Sequence, residues 1–184
     1  RSEGSHTVQE VALSEIRDLE LGTRVRVQGT VVAPPGLLGS QIMYLPGVQV
    51  YMYKKDFPKI AIGDVILVKG VIAKSGEEMR IKVKERADIT VDRHGAPPKI
   101  RESMMVELDE ELESGMVKIA GTIIDATKSG FTLDDGTGEI TMAIKPTTDI
   151  DVRDLMPGAK ISAAGILSKA KSGYRLLPRF QEDI

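Results

Sequence analysis

Cysteine is absent from the sequence, which excludes disulfide frameworks, zinc ribbons and thiol nucleophiles together. Histidine is nearly absent: His6 and His94 are the only two. One lies in a polar leader and the other in a linker, so neither a Ser-His-Asp triad nor a His-rich metal site can be assembled from them. No apolar run approaches the ~18 residues that a membrane helix requires. A Walker-type phosphate loop and a dinucleotide fingerprint after a strand are also missing. Carboxylates remain, but the acidic run at 107–113 reads as the solvated face of a short helix. These absences point away from an enzyme and towards a binding module that needs no cofactor. The compartment stays open, because a cysteine-free chain suits cytoplasm and cell exterior equally.

What is present is the composition of a soluble globular chain, 41% hydrophobic and 28% charged over 184 residues. The net charge of −2 conceals an uneven distribution. Between Arg24 and Arg86 there are 11 basic and 5 acidic residues, whereas from Met116 to Ile184 the two signs balance at 9 each. Residues 101–115 hold one Arg against six Asp or Glu. A basic first half favours a polyanionic partner more strongly than the overall pI of 5.8 does.

Self-similarity sets the expected organisation. Residues 25–32, Val-Arg-Val-Gln-Gly-Thr-Val-Val, are echoed 92 positions later by Val-Lys-Ile-Ala-Gly-Thr-Ile-Ile. Gly63, Gly70-Val71-Ile72 and Arg80-Ile81 recur 95 positions later as Gly158, Gly165-Ile166-Leu167 and Arg175-Leu176. Matching segments in the same order are the mark of one fold used twice. Each copy alternates Val and Ile with polar residues between Gly, Pro and Asp turns, an all-β pattern. The expected strands are 24–33, 40–45, 48–53, 64–73 and 79–85, then 116–126, 129–134, 139–145, 159–168 and 173–180. Five strands with the longest connection between the third and fourth is the arrangement of an OB barrel. Gly29, Gly70, Gly121 and Gly165 fall mid-strand, where such a barrel must coil sharply. The expected domains are 7–96 and 116–184, joined by a linker at 97–115 that Pro97-Pro98 punctuates. Short helices are expected at 13–19 and 106–113. Residues 1–6 read as a remnant of recombinant expression and stand outside the fold argument.

Residues 133–144, Leu-Asp-Asp-Gly-Thr-Gly-Glu-Ile-Thr-Met-Ala-Ile, resemble the second-to-third strand hairpin of OB-fold nucleic-acid-binding domains of the tRNA-anticodon and helicase type. In the first copy, residues 41–51 with Lys54-Lys55-Asp56-Phe57-Pro58 and Gly63-Asp64 are similar to OB modules attached to lamin-tail domains of secreted or surface bacterial proteins. The resemblance implies two tandem five-stranded OB barrels, nucleic-acid binding and a location at the cell exterior. It covers residues 12–184. The first copy departs from it by having Leu45-Pro46-Gly47 in place of the Asp-Gly-Thr-Gly turn.

OB barrels that bind single strands use the outer face of strands two and three with the flanking loops. Period-two alternation sets Val48, Val50 and Met52 on one face and Gln49, Tyr51 and Tyr53 on the other. Tyr51 and Tyr53, with Tyr44, then either form a platform on which bases stack or pack against the connector or the second barrel. Arg24 and Arg26 share a face on the first strand, as Arg80, Lys82 and Lys84 do on the fifth. With Lys54, Lys55, Lys69 and Lys74 they form a basic stripe that either follows a phosphate backbone or guards exposed strand edges. Leu37 and Leu38 would be an exposed apolar loop tip, which suits the competing reading of a structural or protein-interaction module. A carbohydrate site would also use exposed rings, without the cationic excess. The second copy offers less: Thr141 and Ala143 have nothing to stack, and Phe131 and Tyr174 suit a core or its rim. The carboxylates at 134–139 lack the ligand spacing of an EF-hand loop and are normal hairpin residues, so no metal is expected.

Overall fold

The alternation of Val with Arg and Lys is realised as β-structure throughout the computed structural model, which describes residues 7–184. The leader at 1–6, and His6 with it, lies outside the described residues. Strand β1 is Gln9–Glu10, β2 Arg24–Thr30, β3 Ile42–Leu45, β4 Val48–Tyr51, β5 Val65–Ser75, β6 Glu78–Lys82 and β7 Ile89–Arg93. A second sheet holds β8 Arg101–Glu102, β9 Met116–Thr127, β10 Gly130–Asp134, β11 Glu139–Ala143, β12 Lys160–Ala170 and β13 Gly173–Leu177. The helices expected at 13–19 and 106–113 are only 3₁₀ turns, Leu13–Asp18, Met105–Glu107 and Glu110–Leu112. Segments this short cannot repay the cost of nucleating an α-helix.

The second sheet closes on itself. Strand β9 pairs with both β12 and β10, and the ring β9-β12-β13-β11-β10 is complete. The first sheet runs β2-β5-β6-β4-β3 in the same relative order, but no ladder joins β2 to β3. A single bridge between Ala33 and Tyr44 stands there instead. The reason lies in the next two residues: Pro34 and Pro35 carry no N–H and cannot continue a ladder. At the corresponding place β9 has Asp125-Ala126-Thr127 and pairs on to Thr127. The expected pair of closed barrels is therefore met by one closed barrel and one sheet open at a seam.

Val25, Val27, Val50, Met52, Ile66, Ile72 and Ile81 fill the core of the first sheet, and Ile119, Ile123, Phe131, Leu133, Met142 and Leu176 fill that of the second. The connector is not free of the second sheet: β8 pairs with β9, and Met105, Leu108 and Leu112 pack on its core. A third cluster lies between the sheets, where Val32, Ala33, Leu38 and Tyr44 meet Met116, Ala164, Ile166 and Leu177. Leu38 is buried and Leu37 half-buried there, so the expected exposed tip is an inter-sheet contact. Polar ties cross the same junction: Arg179 Nη1 donates to Val32 O at 2.9 Å and Thr147 Oγ1 to Leu37 O at 2.6 Å.

Candidate functional site

Alternation along β2 sends Val25 and Val27 inward and leaves Arg24 and Arg26 exposed. Register then decides which cations meet. Arg26 lies opposite Lys69, and Arg24 opposite Val71, which itself lies opposite Lys82. Lys82 is in register with Tyr51 on β4. One row thus crosses four strands as Arg24, Val71, Lys82 and Tyr51. Arg24, Lys69, Lys82 and Lys84 surround a hollow of about 240 Å³ whose wall also includes Val8 and Asp88. Among the described residues, none of these four cations makes a side-chain hydrogen bond or an ion pair.

The remaining expected site residues divide. Tyr53 is 77% exposed in the turn that follows β4, with Gln41 Nε2 donating to its carbonyl. Tyr51 is half-buried, and the Arg80 guanidinium carbon stands 4.4 Å from its ring centroid. One face of the ring is thus covered by a planar cation, which can itself present a stacking surface. Arg80 is held there by Gln49 Oε1, which accepts from Nε at 2.9 Å and Nη2 at 2.6 Å. Lys54 is tied to Glu85 at 2.9 Å, and Arg26 lies 3.7 Å from Glu10. Lys55 and Lys74 are exposed at the margin.

Tyr44 does not belong to the face. It is 2% exposed in the inter-sheet cluster, and its hydroxyl accepts from Gln49 Nε2 at 3.0 Å. Burial, reinforced by Glu78, pushes the phenol far above its ordinary pKa. No base can stack on it.

The Asp-Gly-Thr-Gly hairpin of the second sheet is spent internally. Asp135 Oδ1 accepts from Thr137 N at 2.8 Å and Gly138 N at 3.1 Å, while Oδ2 accepts from Met105 N at 2.6 Å. Burial alone would raise the pKa of this carboxyl, but the N–H groups overcome it and hold the value below the ordinary range. The loop anchors the connector. Among the described residues no group of three His, Cys, Asp or Glu is placed to hold a metal ion, and no helix is long and apolar enough to cross a membrane.

Sequence reasoning missed a cleft between the sheets, where Arg80 and Glu78 of the first face Lys145 and Arg175 of the second. The signal for one of these was present, since Arg175 is the repeat counterpart of Arg80.

No family model and no curated protein matches the chain. Among solved structures, a multidomain protein with nucleic acid binding domains from Streptococcus pneumoniae TIGR4 is similar at 13% identity with a TM-score of 0.27. The match covers 86% of this chain and 46% of that one, so the chain spans about half the length of that structure. A likeness this loose carries no weight for function.

Proposed function

We propose that the chain is a non-catalytic binding protein built from two OB-type units, and that the outer face of β2, β5, β6 and β4 binds single-stranded nucleic acid. The common strand order of the two sheets supports the duplication. The observation that carries the binding reading is the group of four cations, Arg24, Lys69, Lys82 and Lys84, gathered without ion-pair partners in register with Tyr51, with the exposed Tyr53 two residues further along the chain. Cations left unpaired on one face are free to neutralise phosphates, and rings beside them accept bases of any identity. The Leu37-Leu38 tip, one of the features that suited the competing reading of a structural or protein-interaction module, is occupied between the sheets; the near-neutral second half and the 4% of aromatics that also suited it stand unchanged.

The test is fluorescence anisotropy of a labelled single strand of about 20 nucleotides across a salt series. Affinity should fall with salt at about 0.7 log units per log unit of salt for each phosphate neutralised. Lys82→Gln with Lys84→Gln should flatten that slope by about 1.4. Tyr53→Ala should weaken binding by roughly 1–3 kcal/mol at every salt concentration, as loss of one stacked base does. Absence of binding at low salt would end this reading.

A further inference from the structure

The cleft between the sheets has a charge arrangement that the cationic face does not explain. It encloses about 290 Å³ and is walled by β3, β4 and the β5–β6 turn on one side and by β12, β13 and the Lys145 segment on the other. Four cations face it, Arg80, Lys145, Lys171 and Arg175, against two carboxylates, Glu77 and Glu78; the Lys169 ammonium stands 5.9 Å from the Tyr174 ring centroid, on the other face of the hairpin. Arg80 is committed to Gln49 and Tyr51. Glu78 is committed to Ser168, whose hydroxyl donates to it and also accepts from Arg175 Nε at 3.3 Å. No carboxylate lies within ion-pair distance of Lys145, Lys169, Lys171 or Arg175 among the described residues.

We propose that this cleft is a binding site for a small polyphosphate anion, held by Lys145, Lys171 and Arg175. The second sheet supplies all of these cations, and the first closes the recess over them with Gln49, Glu78 and Arg80; the mutual repulsion of the cations disfavours the empty arrangement. Burial lowers the pKa of the Lys145 ammonium and Arg175 beside it lowers it further, while the Glu78 carboxylate offsets only part of this. An anion carrying several negative charges would favour the charged ammonium and so offset both effects. The chemistry of the donors selects phosphate: a guanidinium offers a planar fork and two ammonium groups offer point charges, which together suit tetrahedral oxyanions joined in a short chain. The cleft floor is rigid, since Gln49, Tyr44 and Ser168 are all buried and hydrogen-bonded. A recess of this volume accepts a diphosphate and excludes a folded partner. The inference is independent of strand binding at the cationic face, because the two sites share no free cation.

Titration calorimetry of the full chain with pyrophosphate at low ionic strength tests it. One saturable site is expected, weakened at least tenfold by Lys145→Gln or Arg175→Gln and changed less than twofold by Lys82→Gln with Lys84→Gln. Without ligand, Lys145→Gln should melt no lower than the parent, which separates lost binding from lost folding. Adding a saturating single-stranded oligonucleotide should leave pyrophosphate bound. The proposal is overturned if pyrophosphate does not bind, if substitutions in the cleft and on the outer face weaken it equally, or if the oligonucleotide displaces it.

Discussion

Tyr44 carries two loads: its ring fills the inter-sheet cluster and its hydroxyl satisfies one Gln49 amide hydrogen. Gln49 is 4% exposed, so an amide hydrogen without an acceptor would be stranded away from water. Tyr44→Phe should therefore lower the unfolding free energy by about 1–3 kcal/mol in denaturant titrations, with strand binding unchanged. Asp64 is a second residue whose environment sets a measurable property. It is 3% exposed, accepts from Ala61 N at 2.9 Å and lies 2.6 Å from His94 Nδ1. The Ala61 N–H first, and His94 second, hold its carboxyl below the ordinary pKa. The unfolded chain then binds the proton more readily, so Asp64 contributes stability above about pH 3.9 that is lost as pH falls through the lower folded value. Asp64→Asn should flatten the acid limb of a stability–pH curve. If the limb keeps its slope, other carboxylates carry it.

At the scale of strands, what was legible in the sequence was the inward and outward assignment of side chains. Val25 between Arg24 and Arg26, or Val50 between Gln49 and Tyr51, fixes a face because a one-residue slip would bury charge. The repeated glycines were legible too, and for a physical reason that the coordinates make explicit. A Cβ on Gly70 would lie 2.4 Å from Lys82 O, and one on Gly165 would lie 2.7 Å from the Leu177 carbonyl carbon. Both are repeat counterparts at the same crossing of long strand and hairpin partner. Gly70→Ala should force β5 from β6 and destabilise the fold by about 2 kcal/mol or more, given that the opposing atoms are backbone and cannot rotate away. A change below about 0.5 kcal/mol in the denaturation midpoint analysis would show that the strands part cheaply. What could not be read locally was the fate of Tyr44 and Leu38. Their polar or loop neighbours suggest exposure, and the residues that cover them lie some seventy positions or more further along, at Met116 and beyond. Nor does alternation say where a ladder ends; Pro34 and Pro35 do, once the strand they follow is known to need a closing partner.

The whole molecule depends on a junction that differs from its two cores. Ile166 is fully buried, yet it belongs to the inter-sheet cluster, while its neighbours Ala163 and Leu167 point into the closed barrel. A carboxylate at position 166 would enter the cluster of Val32, Tyr44 and Leu177, where the cation bonded across the junction, Arg179, is already held by Asp183 and Val32 O, at a cost of several kcal/mol unless the sheets separate. Ile166→Asp therefore acts on the junction without opening either core. The parent chain should unfold in one transition, and the variant in two, as the sheets lose their coupling. The two binding sites should then part company in the same protein. The cationic face lies wholly within the first sheet, so strand binding should persist in Ile166→Asp. The cleft needs Arg175 and Lys145 opposite Gln49 and Glu78, so pyrophosphate binding should disappear. Loss of both activities with a single lowered transition would mean that the first sheet, open at its Pro34-Pro35 seam, does not stand without the second.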